Sequence, residues 1–371
     1  MTAPVPRIGR LVSMFVAPLL AVAGCAPDYN PVPIRSEADA LNTITQLTAP
    51  TGPDGFARAG DVRLSPDMRW AVFRAVPQGA GNTSTEESYG LFMARVRWST
   101  DGGGRHIAGL ERPVRITRVG VPCGSACFSP DGFSLAFTAG DAPAAGPTTV
   151  PTTRPQAMNL FRADNWEQAV SMTDVARGVD LALYRVTPPG LYVVDCDWSP
   201  TGRSIAVAAS DGGPVALFAL RPDGSRLMRL GPVDARSPAF SPDGHRLAYR
   251  TGPAATAQVS VADVVLDVAG DAVGLKDAHR LTHESDVACT GPSWMPDGDH
   301  LVYAAVREGR SDLHVMSSAD GTRKTRLTLY RGPDVLPAVS PDGLHLLWTT
   351  TRGPDASPQL FAADLTLPEG S

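Results

Sequence analysis

A short phrase built on Ser-Pro-Asp-Gly returns along the chain, and its recurrence constrains the fold more than any single segment does. The copies are Leu64-Ser65-Pro66-Asp67, Phe128-Ser129-Pro130-Asp131-Gly132, Trp198-Ser199-Pro200-Thr201-Gly202, Phe240-Ser241-Pro242-Asp243-Gly244, Trp294-Met295-Pro296-Asp297-Gly298 and Val339-Ser340-Pro341-Asp342-Gly343. Successive prolines are 64, 70, 42, 54 and 45 residues apart, so a basal unit of 42 to 45 residues carries insertions in some copies. A period of this length is the mark of a repeat architecture. Proline presets φ for the second position of a type I turn, Asp suits the third, and Gly accepts the positive φ that closes the turn. Each copy therefore predicts a turn between two strands.

The flanking residues agree. Two residues before each proline stands an apolar residue, and five and seven after it come the alternating pairs Ala71/Phe73, Leu135/Phe137, Ile205/Val207, Leu247/Tyr249, Leu301/Tyr303 and Leu346/Trp348. The intervening residues (Val72, Ala136, Ala206, Ala248, Val302, Leu347) are apolar too, so both faces of this strand are covered. Stacked propeller blades provide that cover. Third strands are expected at 90–96, 159–163, 215–220, 259–265, 313–317 and 359–365. Fourth strands are expected at 114–119, 183–186, 227–230, 280–282 and 326–329. The last unit has no fourth strand of its own, and Thr43-Ile44-Thr45-Gln46-Leu47-Thr48 matches Arg326-Leu327-Thr328 in kind. The expectation is an all-β, six-bladed β-propeller over 43–366, with four-stranded blades and a ring closed by pairing of N- and C-terminal strands, followed by a tail at 367–371. Gly (36) and Pro (34) form about 19% of the chain, against roughly 12% in ordinary proteins, which disfavours long helices. A short helix is expected within 166–183, and 76–88 and 140–157 read as surface insertions. The first, third and fifth turns, where Met68, Thr201 and Met295 depart from the motif, are expected to be less regular.

These units resemble the PD40, WD40-like repeats of TolB-type propellers. The segment Leu313-His314-Val315-Met316-Ser317-Ser318-Ala319-Asp320-Gly321 followed by Arg326-Leu327-Thr328 is similar to that family's third strand, Asp-Gly turn and fourth strand. The resemblance implies a binding protein of the cell envelope. TolB proteins carry an α/β domain ahead of the propeller, for which the seventeen or so residues after Cys25 leave no room, so TolB's own partners do not transfer.

The N-terminus reads as an export signal. Arg7 and Arg10 precede an apolar run over 11–24 that is too short to span a bilayer. It ends in Val22-Ala23-Gly24-Cys25, which resembles the lipobox of bacterial lipoproteins and makes Cys25 the lipid attachment residue. Residues 1–24 are then the signal peptide and 25–42 a lipidated tether, and the protein is exported and anchored on the periplasmic or outer-surface face of a bacterial membrane. Cleavage after Ala21-Val22-Ala23 is the alternative and gives an unanchored exported protein. The net charge of -5 falls by a further two when residues 1–24 leave, which disfavours nucleic acid as a partner.

No catalytic, phosphate-binding or metal-binding motif stands out, and the expectation is a non-enzymatic protein without cofactor or metal. The segment lacks the nucleophile elbow of prolyl-oligopeptidase-like enzymes, the Walker A loop and His-Glu-x-x-His. His279 and His283 flank an expected strand, and His245, His300 and His345 follow successive turns as parts of the repeat. Cys123, Cys127, Cys196 and Cys289 form an even set in an exported chain, so disulfides are expected in any of three pairings; buried thiols are the alternative. Candidate partner-binding residues lie ahead of first strands at the rim: Asp195, Asp197, His283, Glu284, Ser285 and Asp286. The functional expectation is a lipid-anchored, monomeric scaffold that binds an envelope protein. The alternatives are a glycan- or small-ligand-binding lipoprotein, and a hydrolase or lyase acting at the channel.

Overall fold

The computed structural model describes residues 37, 40–52, 55–79, 89–101, 104–140, 158–172, 179 and 181–367. The expected signal peptide, Cys25, most of the tether and the tail from 368 onward lie outside them, as do 80–88 and 141–157 of the two insertions. Twenty-four strands form six antiparallel four-stranded sheets. Blade 1 comprises β2 (Phe56–Leu64), β3 (Trp70–Pro77), β4 (Gly90–Asp101) and β5 (Gly104–Arg115). Blade 2 comprises β6 (Cys123–Phe128), β7 (Ser134–Gly140), β8 (Met158–Asp164) and β9 (Leu183–Arg185), with helix α1 (Trp166–Ser171) between the last two. Blade 3 is β10 (Tyr192–Trp198), β11 (Ile205–Ser210), β12 (Ala216–Leu220) and β13 (Met228–Val233). Blade 4 is β14 (Ala235–Phe240), β15 (Arg246–Thr251), β16 (Gln258–Leu266) and β17 (Ala272–Arg280), and blade 5 is β18 (Ala288–Trp294), β19 (His300–Arg307), β20 (Arg310–Ser317) and β21 (Thr325–Arg326). Blade 6 joins β22 (Asp334–Val339), β23 (His345–Thr350) and β24 (Gln359–Leu365) to β1 (Leu41–Gln46). The first strands touch in sequence, β2 to β6, β10, β14, β18, β22 and back to β2, and so enclose a central channel.

The expected six-bladed, end-closed propeller is therefore the observed fold. In the last blade Leu41 pairs with Leu365 and Gln46 with Phe361. The segment matching Arg326-Leu327-Thr328 plays its anticipated part. After the fourth strand an apolar residue donates its N–H to the third strand, and the next Thr hydroxyl accepts a third-strand N–H. The pairs are Ile116-Thr117, Val186-Thr187, Leu281-Thr282, Leu327-Thr328 and, across the chain ends, Leu47-Thr48. Ala40 and Leu41 pack with Trp348, Phe361 and Leu365 against Val302, Leu313 and Val315 of blade 5. Burial of one such leucine contributes about 1.5–3 kcal/mol, so closure is held by apolar contact as well as by the ladder.

Beyond the fourth strands of blades 1 and 5, which are β5 (Gly104–Arg115) and β21 (Thr325–Arg326) and not 114–119 and 326–329, three further details differ from the sequence reading. The fourth strand of blade 4 is β17, ending at Arg280, and not 280–282. Asp267 opens the turn before it, accepting the N–H groups of Ala269 and Asp271 on its carboxylate, while Gly270 supplies a φ of 81°. The Leu281-Thr282 pair is the cap that follows the strand. Second, the closing strand starts two residues earlier than expected. Third, the departing turns close like the others: Met68 N–H reaches Ser65 O at 2.8 Å, Gly202 N–H reaches Ser199 O at 2.8 Å and Gly298 N–H reaches Met295 O at 3.0 Å. Met68 is held at φ 57° where the other copies place glycine. In blade 5, where methionine replaces serine, the His300 ring bonds Asp297 at 2.8 Å.

Two measurements test these points. Deleting residues 359–371 removes the strand that β1 needs, and the expected result is loss of the cooperative thermal transition; an unchanged transition contradicts closure. Met68→Gly relieves a left-handed backbone that costs a side-chain-bearing residue about 1 kcal/mol. A higher urea midpoint at constant slope is the expected outcome.

Candidate binding site in the channel wall

Each first strand has one edge on the channel, where backbone groups lack a ladder partner. All six of these strands carry a register shift at nearly the same place. At the shift Asp61, Ser237, Gly291 and Leu336 take φ between 50° and 63°. A bulge re-aims the side chains that follow it. Counted back from the repeated turn, Asp61, Ser125, Asp195, Ser237, Gly291 and Leu336 occupy equivalent positions. Two residues further on stand Arg63, Cys127, Asp197, Ala239, Ser293 and Ala338. The polar members cluster on blades 1 to 4, and the wall is small or apolar elsewhere.

Several of these side chains bond the neighbouring blade's backbone. Asp195 accepts Ser237 N–H at 3.0 Å and Asp197 accepts Phe240 N–H at 2.7 Å. Ser125 accepts Cys196 N–H at 2.9 Å and Ser293 accepts Val339 N–H at 3.1 Å. Asp195 and Asp197 thus lie within β10 and not ahead of it, because the strand begins at Tyr192. Burial raises the Asp195 carboxyl above its ordinary value, opposed by the Ser237 bond and by Arg236 and Arg250, with Asp61 adding repulsion. Burial likewise pushes Asp197 from 3.8 to about 6, opposed by the Phe240 bond and the charge of Arg63. Arg236 and Arg250 are direct cross-strand partners in blade 4. Burial and repulsion from Arg236 lower the Arg250 guanidinium, and Asp195 and Asp234 counter them.

The other rim candidates precede β18, as expected, but are engaged locally. Glu284 pairs with Lys324 at 2.5 Å, and this ion pair holds its carboxyl below the ordinary value against burial. Asp286 pairs with Arg307 at 2.7 Å; His283 and Ser285 are exposed. These four are not drawn into the channel wall with the two aspartates. His279 bonds Ala319 O at 3.0 Å, and no three His, Cys, Asp or Glu residues among those described are grouped to hold a metal ion. A cavity of about 220 Å³ beside blade 1 is lined by Leu47, Thr48, Phe56, Phe73, Leu110 and Pro113 among others, none of them ionisable. Among the described residues Cys123, Cys127, Cys196 and Cys289 are free thiols, and Cys127 and Cys196 lie 3.6 Å apart at sulfur.

Sequence reasoning missed Asp61, Arg63, Arg236 and Arg250. A signal was present: Pro238, Pro292 and Pro337 stand at one offset inside three first strands, and proline inside a strand marks an edge or a bulge.

The model of the TolB beta propeller domain, PD40, matches residues 235–367, which hold blades 4 and 5 and the three C-terminal strands of blade 6. The repeats within residues 235–367 are thus similar to those of the TolB-type PD40 propeller. The Tol-Pal system protein TolB of Francisella tularensis is 27% identical over 88 residues, 24% of this chain and 20% of that protein. A TolB homolog of Chlorobium luteolum is 28% identical over 169 residues, 44% of this chain and 35% of that protein. These matches thus span about a fifth and a third of the relatives' lengths. TolB from Acinetobacter baumannii superposes with a TM-score of 0.50 at 16% identity, over 86% of this chain and 66% of that one, and shares the fold.

Asp197 gives a test of the wall's electrostatics. Its carboxyl titrates near 6 folded and near 3.8 when free, so the cost of burying its charge is full above pH 6 and disappears below about pH 4. Asp197→Asn keeps an acceptor for Phe240 and removes that charge. It is expected to raise stability by on the order of 1–2 kcal/mol at pH 7.5 and to have little effect at pH 4, read from urea unfolding at the two values.

Proposed function

We propose that the chain is a non-enzymatic, lipid-anchored cell-envelope protein that uses its TolB-like propeller to bind another envelope protein. The observation that carries this reading is the Arg236 and Arg250 pair, two like charges placed directly opposite one another on the first two strands of blade 4, where the charge of Asp195 in blade 3 acts on Arg250. Like charges in direct cross-strand register destabilise a sheet. Such local conflicts tend to mark functional positions, where stability is given up for recognition. A carboxylate of the partner bound there offsets the repulsion, and Asp195 partly does so in its absence.

The matching relatives support the setting, since those of Francisella are named Tol-Pal system proteins. Their activity and partners as whole proteins come to this chain only as part of the proposal. The anchoring half rests on the sequence around Cys25. Among the described residues no helix is long and apolar enough to cross a membrane.

The test is chemical crosslinking in intact cells followed by purification of the chain and identification of attached proteins. An envelope protein is expected to be enriched, and Arg236→Ala with Arg250→Ala is expected to reduce its recovery at least tenfold. Arg229→Ala, on the exposed outer strand β13, should leave it unchanged. Equal recovery from all variants counts against the channel wall. Cys25→Ala is expected to move the protein from the membrane to the unanchored exported fraction; retention in the membrane counts against lipidation.

A further inference from the structure

We infer that Cys127 and Cys196 are a disulfide-forming pair that cross-links the first strands of blades 2 and 3 when the chain folds in the presence of a small-molecule disulfide oxidant. The geometry selects these two from the six pairs that four thiols can form. Their sulfurs are 3.6 Å apart, and both belong to the same apolar cluster between the two blades. Cys196 also reaches back across the blade boundary, its sulfur 3.8 Å from Ser125 O and 4.0 Å from Ala136 O. The two strands already pack on one another, and the sulfurs have only to close from 3.6 Å to the S–S bond length of about 2.05 Å.

Cys123 is excluded by the bulge in β6. Simple alternation places residues 123 and 127 on one face of a strand. The register shift between Cys123 and Ala126 reverses the phase, so Cys123 pairs with Ala139 and Cys127 with Ala136. Cys123 consequently packs in the cluster between blades 1 and 2, with its thiol directed at Tyr89 O, while Cys127 faces blade 3. Cys289 lies in the cluster between blades 4 and 5.

The chemistry balances as thiol–disulfide exchange. One cysteine thiolate attacks an oxidised glutathione sulfur and releases one glutathione thiol. The second cysteine then attacks the protein sulfur of the mixed disulfide and releases the other. The two cysteines lose two hydrogens and two electrons, and the oxidant is reduced to two thiols. The reaction belongs to the folding chain. In the folded protein Cys127 is 4% and Cys196 7% exposed, which denies an oxidant access. The bond to Cys196 and burial also hold the Cys127 thiol in its protonated, unreactive form.

The experiment refolds the full chain from denaturant in a glutathione redox buffer, alkylates the remaining thiols and maps the peptides without reduction. The expected result is a Cys127–Cys196 cross-link, with Cys123 and Cys289 alkylated. The oxidised protein should melt about 4–8 °C above the reduced one. The double variant Cys127→Ser, Cys196→Ser should show no difference between the two conditions, and Cys123→Ser with Cys289→Ser should retain both the cross-link and the shift. Four alkylated cysteines after oxidative refolding, or a cross-link through Cys123 or Cys289, would overturn the inference.

Discussion

A β-sheet has two edges, and every unpaired N–H or C=O along them must find a partner or face water. This constraint organises the whole ring. Two outer edges, β9 and β21, are kept short, and the Thr hydroxyl that follows the strand takes over one third-strand N–H. Inner edges turn to the preceding blade, whose aspartate or serine accepts the N–H that no strand can reach. Asp197 to Phe240 and Ser293 to Val339 are the same bond made on different blades with different side chains. The seam between the chain ends is then only one more instance, because Leu47 and Thr48 serve β24 as Leu327 and Thr328 serve β20.

The fold was legible because the turn is local. Serine, proline, aspartate and glycine each act within four residues, so the repeat could be read without knowing what lies beside it. Turn nesting adds a contact that sequence does not show: a Cβ on Gly244 would come within 3.2 Å of Pro200, and one on Gly343 within 3.1 Å of Pro296. The neighbouring turn therefore reinforces the preference for glycine that φ already sets. Met68 shows the limit of the motif as a predictor. Its local preference opposes a left-handed φ, yet the strands on either side hold the turn closed.

The channel wall was only partly legible. Asp195 and Asp197 stood out as polar residues beside a first strand, but their bonding to blade 4 follows from a bulge that changes which way a residue points. Reading by alternation fails at such a bulge, and the same failure groups Cys123 with Cys127 when they lie in different interfaces. Arg236 and Arg250 could not be recognised as neighbours until the register of β14 against β15 was known. Glu284 and Asp286 were found in the expected loop, and their partners Lys324 and Arg307 lie far along the chain. Position was readable for them; engagement was not.

The pairing of β1 with β24 has a consequence for how the protein is made. Thr48 and Gln359 bond across 311 residues of sequence, so β1 waits for β24 to be synthesised before its edge is covered. Contacts of such separation slow folding, and an uncovered strand is a hazard for aggregation while the nascent chain grows. The exposed run Asn42 to Ile44 is short and polar apart from its isoleucine, and Thr43 takes a positive φ that interrupts the strand. The waiting strand is thereby a poor template for association with other copies, and the ring seals only when translation has delivered its far end.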